Sequence, residues 1–191
     1  FHVFRVEHPR LSHEDGGMPA APPETSLVGH GFQYLTDARY EPVAPLMDEI
    51  RRGAQALGLP VRSMEVEFGP SQFEVTFDPA PPMTHADNMI LFRSLVKETC
   101  RQRGLHATFM CRPRKPDVLP SGWHLHQSVL AADTGESLFA TADGGLTPTA
   151  SGWVAGLLEH AAATCLLSTP TVNGYKRYQP GQLAPDRIQW G

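Results

Sequence analysis

Two short segments with strict alternation of apolar and polar residues constrain the fold of this chain most strongly. The first is Met64–Phe68, the second is Phe73–Phe77, and a Gly-Pro turn lies between them. Successive side chains of a β-strand point to opposite faces, so each segment predicts a strand with one apolar and one polar face. The polar face of the pair would carry Glu65, Glu67 and Glu74.

Carboxylates that share one face of a strand pair repel each other unless a cation or solvent relieves the repulsion. Two interpretations therefore stay open on the residues alone. The first is a metal site that includes Glu65, Glu67 and Glu74. The second is a solvated sheet face, which is the commoner environment of glutamates in strands.

The composition is that of a globular protein with a substantial core. Hydrophobic residues make up 41% and charged residues 19% of the 191 residues, and a domain of this size buries roughly 70% of the surface of its unfolded chain. The net charge of −4 and the lack of a basic block do not favour nucleic acid as a partner. No apolar run reaches the length of a membrane span, so no membrane association is expected.

The cysteines Cys100, Cys111 and Cys165 lie far apart and lack the spacing of metal ligands. We predict that they are buried free thiols in a reducing compartment, which implies a cytoplasmic protein. The start Phe1–Phe4 is neither a signal peptide nor an initiator methionine. This predicts that the chain begins inside a longer one.

Turn residues and hydrophobic periodicity divide the chain into strands and helices. The clearest helix runs from Pro42 to Leu57, where apolar residues recur at intervals of three and four. A capping-box-like sequence at Thr84–Asp87 predicts a second helix that ends at Gly104. The remaining predictions are a strand at Phe1–Glu7, a long loop at His8–Gly31, strands at Ala107–Cys111 and Trp123–Leu130, and a helix from Thr147 to about Leu167 with Trp153 and Leu157 on its inner face. This order predicts an α+β fold with a mainly antiparallel sheet and flanking helices.

His124, His126 and Ser128 occupy alternate positions of the predicted strand at Trp123–Leu130 and would share one face. One imidazole among several carboxylates suits Mg²⁺ or Mn²⁺ better than a structural zinc site. The alternative is that His124 only forms hydrogen bonds, which is the commoner role of a histidine in a strand.

Lys176 and Arg177 form a basic pair near the end of the chain. Such a pair could bind a carboxylate or a phosphate, or it could be solvated. The sequence contains no GxxxxGK[ST] and no GxGxxG motif. A nucleotide would therefore bind through metal ions and cationic side chains.

The segment Glu67–Glu74, with its Gln-x-Glu ending, resembles the E…Q-x-E segment of the glutamine synthetase family. Further matches follow in the family's order along the whole chain. Each motif alone is weak, but several in the right order identify the chain as a member of that family. The matches are Ala86-Asp87, Ala107–Pro113, Ser121–Ser128, Leu138-Phe139, Pro170–Arg177, Ala184-Pro185 and Trp190-Gly191.

Position by position, the resemblance implies a set of site residues. Glu67 and Glu74 match the carboxylates that bind the metal on the substrate side. His124 matches the histidine that binds the metal between the ATP phosphates. His126 and Ser128 match residues near the nucleotide.

Arg177 matches the arginine that holds the amino-acid substrate and its developing acyl phosphate. The resemblance implies the fold of the glutamine synthetase/guanido kinase catalytic domain and the function of an ATP-dependent carboxylate–amine ligase. Such an enzyme uses two or more Mg²⁺ or Mn²⁺ ions, takes ATP, glutamate or a related carboxylate, and an amine or ammonia, and forms a homo-oligomer. The metal ions and Arg177 would offset the charge that develops during transfer.

The resemblance also implies that residues 1–191 are part of a catalytic domain. The family's N-terminal β-grasp domain and an E-x-E metal pair would precede the chain. The C-terminal part, with an arginine cluster and a further metal glutamate, would follow it. This fragment alone is therefore expected to be inactive.

Two departures from the family pattern affect the predicted substrate. Leu119-Pro120 replaces a glutamate-binding Asn-Gly, and Leu183 stands where ammonia-using members carry a glutamate over the ammonium site. A leucine cannot attract ammonium but can pack against an alkyl or aryl amine, so we predict γ-glutamylation of an organic amine. The alternatives are an ammonia-using glutamine synthetase, an inactive structural or binding protein that keeps the fold, and a guanidino kinase.

Overall fold

The protein divides into two compact units, described here from a computed structural model of residues 1–181. The first unit is Phe1–Ser121, and the second begins at Gly122. All strands of the described residues lie in the first unit, whereas the regular structure of the second is helical.

The first unit contains both strands and helices, and the second continues with helices. The strands are β1 His2–Val6, β2 Thr25–Leu27, β3 Val61–Val66, β4 Phe73–Phe77 and β5 Leu105–Thr108. The α-helices are α1 Asp37–Tyr40, α2 Ala44–Ala56, α3 Pro82–Gln102, α4 Pro148–Glu159, α5 Ala161–Ser168 and α6 Val172–Tyr175. Among residues 1–181, no helix combines the length and the apolar character needed to cross a membrane.

β1 is the central strand of the first unit. It pairs antiparallel with β2 and with β5, while β3 and β4 form a separate antiparallel pair. Backbone hydrogen bonds attach this pair to β1, since the Phe73 N–H donates to the Phe1 carbonyl at 2.9 Å. The Val3 N–H likewise donates to the Ser71 carbonyl at 2.9 Å. The predicted α+β fold with antiparallel strands and flanking helices is confirmed.

The core of the protein lies in the first unit, where α2 and α3 bury one apolar face each. The buried cluster consists of Val3, Val43, Leu46, Met47, Ile50, Ala54, Leu59, Val66, Phe73, Phe92, Val96, Cys100 and Ala107. Burial raises the pKa of the Cys100 thiol to about 12, so this cysteine acts as an unreactive core residue. Cys111 and Cys165 are free thiols too, as predicted, but they are only partly buried, so the predicted burial is wrong for these two.

The two helices predicted for the first unit are confirmed, but their N-termini differ from the prediction. A 3₁₀ turn precedes α2, which itself begins at Ala44. α3 begins at Pro82, so Thr84 lies inside the helix and the capping box predicted there is wrong. Proline suits the first turn because its missing N–H has no intrahelical partner there. The helix ends before Gly104, as predicted, and this glycine has φ of +68°.

The strand predicted at Trp123–Leu130 is wrong. Within residues 1–181, this segment forms no ladder and has only an isolated bridge between Leu130 and Ser137. A strand needs a neighbour that accepts and donates its backbone hydrogen bonds, and alternation alone does not supply one. Two smaller corrections concern the first unit. The predicted loop at His8–Gly31 contains the strand β2, and the strand predicted at Ala107–Cys111 is β5, which begins and ends earlier, at Leu105–Thr108.

The long helix predicted from Thr147 onward is two helices. Thr147 is the N-cap of α4, and its Oγ1 accepts a hydrogen bond from the Ala150 N–H at 3.1 Å. His160 separates α4 from α5. Trp153 and Leu157 are exposed in the described structure, so the predicted inner face is wrong. Periodicity identifies an apolar face but not an element that covers it.

Candidate active site

The glutamates of β3 and β4 lie on one face of the strand pair. Glu65 and Glu74 are directly opposite each other in the antiparallel register, so their side chains leave the pair on the same side. The Glu67 N–H donates to the Gln72 carbonyl at 2.9 Å, which continues the pairing past the end of β3. Glu67 shares the face of Glu65 because it lies two residues later.

The hydroxyl of Tyr34 lies near these carboxylates. It donates a hydrogen bond to Glu74 Oε2 at 3.3 Å. Desolvation of the phenol, the charges of Glu67 and Glu74, this hydrogen bond and the charge of Glu65 raise the pKa of Tyr34 to about 12. All three carboxylates therefore act on one phenol, which stays a neutral hydrogen-bond donor near pH 7.

The chain before Tyr34 is attached to the turn between β3 and β4. The Ser71 N–H donates to the Gly29 carbonyl at 3.1 Å, and the Phe32 N–H donates to the Phe68 carbonyl at 2.6 Å. The rings of Phe32 and Phe68 also meet edge to face, with centroids 5.8 Å apart. The position of the aromatic residues relative to the carboxylates is therefore fixed by the backbone.

Phe32 and Tyr34 are both exposed, with 58% and 48% of each residue accessible, and Tyr34 lies beside Glu74. Phe32 and Leu35 adopt positive φ angles of 63° and 55°. Such angles cost non-glycine residues on the order of 1–3 kcal/mol and are concentrated at functional sites. Gly31 permits the close approach of this chain to the turn, because a Cβ there would lie 2.3 Å from the Pro70 nitrogen.

Gln72, near the start of β4, is buried and hydrogen-bonded at both ends of its amide. Its Oε1 accepts from the Gly69 N–H at 2.9 Å. Its Nε2 donates to the Pro120 carbonyl and to Ser121 Oγ, both at 3.0 Å. Ser121 Oγ also lies 3.3 Å from Nδ1 of His2, whose side chain is buried. The turn between the strands is thus linked to the end of the first unit.

The carboxylates fit part of a site for a hard divalent cation. Across the described residues, no three His, Cys, Asp or Glu side chains are grouped so as to hold an ion by themselves. Mg²⁺ usually keeps several waters and is held by one or two carboxylates together with substrate phosphates. Glu67 and Glu74 therefore suit such an ion as two ligands among others.

His124, His126 and Ser128 lie in the second unit, on a segment without regular secondary structure, and their side chains are exposed. The segment is attached to α4, because Nε1–H of Trp153 donates to Gln127 Oε1 at 3.0 Å. An exposed neutral imidazole can offer a ring nitrogen to a metal or a nucleotide. The metal and nucleotide roles of these residues stay predictions.

Arg177 lies two residues after α6 and packs against Gly122. A Cβ on Gly122 would lie 2.6 Å from Arg177 Nη2, so glycine leaves room for the guanidinium. Within residues 1–181, Arg177 Nε is buried without a hydrogen-bond partner. An unpaired buried donor is costly, and an anionic substrate group would supply the missing acceptor. Lys176 beside it is exposed, which fits the solvated alternative for that residue.

The predicted site residues divide between the two units. Glu67 and Glu74 lie in the first unit, where both act on the phenol of Tyr34, and the second unit contains His124, His126, Ser128 and Arg177. Leu183, Ala184-Pro185 and Trp190-Gly191 lie outside the described residues.

Tyr34 and the hydrogen bonds of Gln72 are not among the predicted features. The Gln-x-Glu motif included Gln72, so the motif itself was a signal that this residue matters. Tyr34 gave no such signal, because it lies 40 residues before its partner Glu74 and belongs to no recognised motif.

The chain belongs to the glutamine synthetase family. The sequence model for the catalytic domain of glutamine synthetase matches residues 1–191. The family membership inferred from the order of the motifs is thereby confirmed.

Two curated relatives show the range of proteins that the chain resembles. The γ-glutamylanilide synthase of an Acinetobacter species is 38% identical over 195 residues, which cover 100% of this chain and 39% of that protein. The glutamine synthetase of Thermus thermophilus is 39% identical over 137 residues, which cover 71% of this chain and 30% of that protein. The chain therefore spans well under half the length of these relatives.

Solved structures of the family share the fold. A crystal structure of a novel glutamine synthase homolog matches with a TM-score of 0.74 at 26% identity, covering 95% of this chain and 39% of that chain. Apo GmaS without ligand matches with a TM-score of 0.71 at 28% identity, covering 92% of this chain and 39% of that chain. The predicted fold of the glutamine synthetase catalytic domain is confirmed.

Proposed function

We propose that the full-length protein is an ATP-dependent carboxylate–amine ligase that γ-glutamylates an organic amine. The observation that carries the proposal is the carboxylate face of β3 and β4, beside which Tyr34 exposes an aromatic ring and donates a hydrogen bond to Glu74. Carboxylates suit divalent ions, and exposed rings suit an apolar amine. Family membership and whole-chain similarity to a protein named γ-glutamylanilide synthase support it.

In this proposal, Glu67 and Glu74 hold Mg²⁺ or Mn²⁺ on the substrate side. His124 helps to hold a second ion near the ATP phosphates, and His126 and Ser128 lie near the nucleotide. When bound, the divalent ions supply positive charge that offsets the negative charge of the carboxylate and phosphate oxygens.

Arg177 binds the carboxylate substrate and offsets the charge that develops on it. Transfer of the γ-phosphoryl group from ATP to the carboxylate gives ADP and an acyl phosphate. The amine nitrogen then attacks the acyl carbon, phosphate leaves, and the nitrogen loses a proton to give the amide. The buried Nε of Arg177, which has no partner within the described residues, supports this role in anion binding.

Two sequence features support an organic amine over ammonia. Leu183 offers no charge to ammonium, but it can pack against an alkyl or aryl group, which contributes roughly 25 cal/mol per Å² of apolar surface buried. Leu119-Pro120 removes the amide side chain that the family pattern has near the amino-acid site. Both features point to an acceptor with an apolar body.

The test is the catalytic efficiency of the full-length protein with ATP, glutamate and five acceptors: ammonium, putrescine, ethanolamine, isopropylamine and aniline. We expect kcat/KM for an organic amine to exceed that for ammonium, and Leu183→Glu to shift the preference towards ammonium. Ammonium as the best substrate by a wide margin would favour an ammonia-using glutamine synthetase, the second candidate, which the identity to the Thermus thermophilus protein supports. No turnover with any acceptor would favour an inactive binding protein.

We also propose that residues 1–191 are part of a catalytic domain and that the full-length cytoplasmic protein is a homo-oligomer. The isolated fragment is expected to show no ligase activity. Turnover of ATP by that fragment in the presence of an amine would contradict this expectation.

A further inference from the structure

We infer that Gln72 is a positioning residue that sets the separation of Glu67 and Glu74 and thereby controls their affinity for a divalent ion. This inference rests on the metal role proposed for the two glutamates. Gln72 itself does not bind the ion, because both ends of its side chain are engaged with other groups of the protein.

The Gln72 side chain is buried and uses both its acceptor and its donors. The residue is 5% exposed. Oε1 accepts from Gly69, and Nε2 donates to Pro120 and Ser121, with all three distances between 2.9 and 3.0 Å. A buried amide with these bonds cannot rotate or shift without leaving polar groups unpaired, which costs about 1–3 kcal/mol for each group. Its orientation is therefore fixed.

The backbone of Gln72 transmits this constraint to both glutamates. The Gln72 carbonyl accepts from the Glu67 N–H at 2.9 Å, and the Gln72 N–H donates to the Gly69 carbonyl at 3.2 Å. Glu74 follows two residues later in β4. The turn folds closely over the amide, since a Cβ on Gly69 would lie 2.4 Å from Gln72 Oε1. Backbone and side chain of one residue thus close the turn that separates the glutamates.

The other end of the amide holds the turn against a fixed part of the first unit. The Ser121 N–H donates to the Cys111 carbonyl at 2.9 Å, and Ser121 Oγ lies 3.3 Å from Nδ1 of His2 in β1. The Pro120 carbonyl is the second acceptor of the Gln72 amide. These hydrogen bonds fix the turn, and with it the glutamates, against β1 and the chain after β5. The position of the glutamates therefore does not depend on the turn alone.

The test is Mn²⁺ binding to the full-length protein without substrates, measured from the electron paramagnetic resonance signal of free Mn²⁺. Gln72→Glu keeps the side-chain volume and the acceptor for Gly69, but it places a carboxylate oxygen against the Pro120 carbonyl. Added negative charge alone would tighten Mn²⁺ binding, whereas displaced glutamates weaken it, so the direction of the change is diagnostic. We expect about tenfold weaker binding for Gln72→Glu and for Gln72→Met, the lower end of the range for residues that orient metal ligands.

Val96→Ala is the matched control, because it removes buried volume from α3 and alters no polar group. It is expected to lower the Tm, as the Gln72 substitutions do, and to leave Mn²⁺ affinity unchanged. If Gln72→Met and Gln72→Glu do not fold, Ser121→Ala decides, since it removes one acceptor of Nε2 and should weaken binding by a smaller factor in the same direction.

Glu74→Gln separates this inference from the proposed function. If Glu74→Gln leaves Mn²⁺ binding unchanged, the proposed metal role is wrong. If Glu74→Gln weakens binding and the Gln72 substitutions leave it unchanged or tighten it, the positioning role of Gln72 alone is overturned.

Discussion

The two units of the molecule use apolar residues in different ways. Every residue of the buried cluster belongs to Phe1–Ser121. In the second unit, by contrast, Leu166 and Leu167 of α5 are 76% and 80% exposed. Both units contain apolar helices, so apolar content does not by itself make a core. A core forms where a second element covers each apolar face.

The predicted site residues follow the same division. Glu67 and Glu74 belong to a hydrogen-bonded strand pair that packs on the core. His124 and Arg177 lie outside regular elements of the second unit. Substitutions of core residues in the first unit are therefore expected to change stability, whereas substitutions around Arg177 in the second unit are expected to change activity without changing stability.

Phe92→Ala has the largest expected effect on this contrast. Phe92 is 2% exposed and meets the rings of Phe1, Phe77 and Phe109. Loss of a buried aromatic ring costs about 3–5 kcal/mol of unfolding free energy. The control is Leu167→Ala, which should change the unfolding free energy by less than about 0.5 kcal/mol. Equal losses of unfolding free energy in urea titrations of the two variants would contradict the difference between the units.

Gly122→Ala tests the second unit, where activity is expected to change and stability is not. The new Cβ would lie 2.6 Å from Arg177 Nη2, so the guanidinium must move while the backbone stays. A displacement of about 1 Å in a positioned group can cost about 10²-fold in rate, so we expect a loss of that order in kcat/KM at unchanged Tm. Gly156→Ala in α4 is the matched control, because nothing lies within 4 Å of its Cβ. Equal activity of the two variants would contradict the proposal that the packing of Arg177 against Gly122 matters for activity.

His2 gives the smallest effect near neutral pH and tests the first unit through the pH dependence of its stability. Burial lowers the pKa of His2 from 6.5 to about 3. Between these two pH values, the imidazole is protonated in the unfolded chain but neutral in the folded chain. Stability from this group is complete above pH of about 6.5 and falls as the pH drops towards about 3, by at most about 1.4 kcal/mol per pH unit. His2→Phe should reduce the slope of unfolding free energy against pH in this range. An unchanged slope would show that His2 does not remain neutral in the fold.

The sequence predicted correctly those strands and helices whose formation depends on short-range alternation or periodicity. The alternation around Glu67 and Glu74 predicted β3 and β4, and apolar stripes predicted α2 and α3. The strand at Trp123–Leu130 was wrong because a ladder depends on a neighbour that the segment itself does not specify. The break between α4 and α5 at His160 was not predicted, because no proline or glycine occupies that position.

The candidate site shows the same limit. Glu67, Glu74, His124 and Arg177 were found because they fall in short motifs with a recognisable order. Tyr34 was missed because only the folded chain brings its hydroxyl to Glu74. The hydrogen bonds of Gln72 to Pro120 and Ser121 join residues 48 and 49 positions apart, and no sequence pattern encodes such a pairing.

The attachment of β1 to β4 also has a consequence for the order of folding events. β3 and β4 are adjacent in sequence, and hairpins of this kind form in about 1–10 μs. The Phe1 nitrogen and the Phe73 carbonyl are joined across 72 residues, and closing a longer loop costs more entropy before any contact repays it. We therefore expect the glutamate-bearing hairpin to appear first in the refolding trajectory. β1 then docks late, and pulse-labelled hydrogen exchange should protect the Glu67 amide before that of Val3.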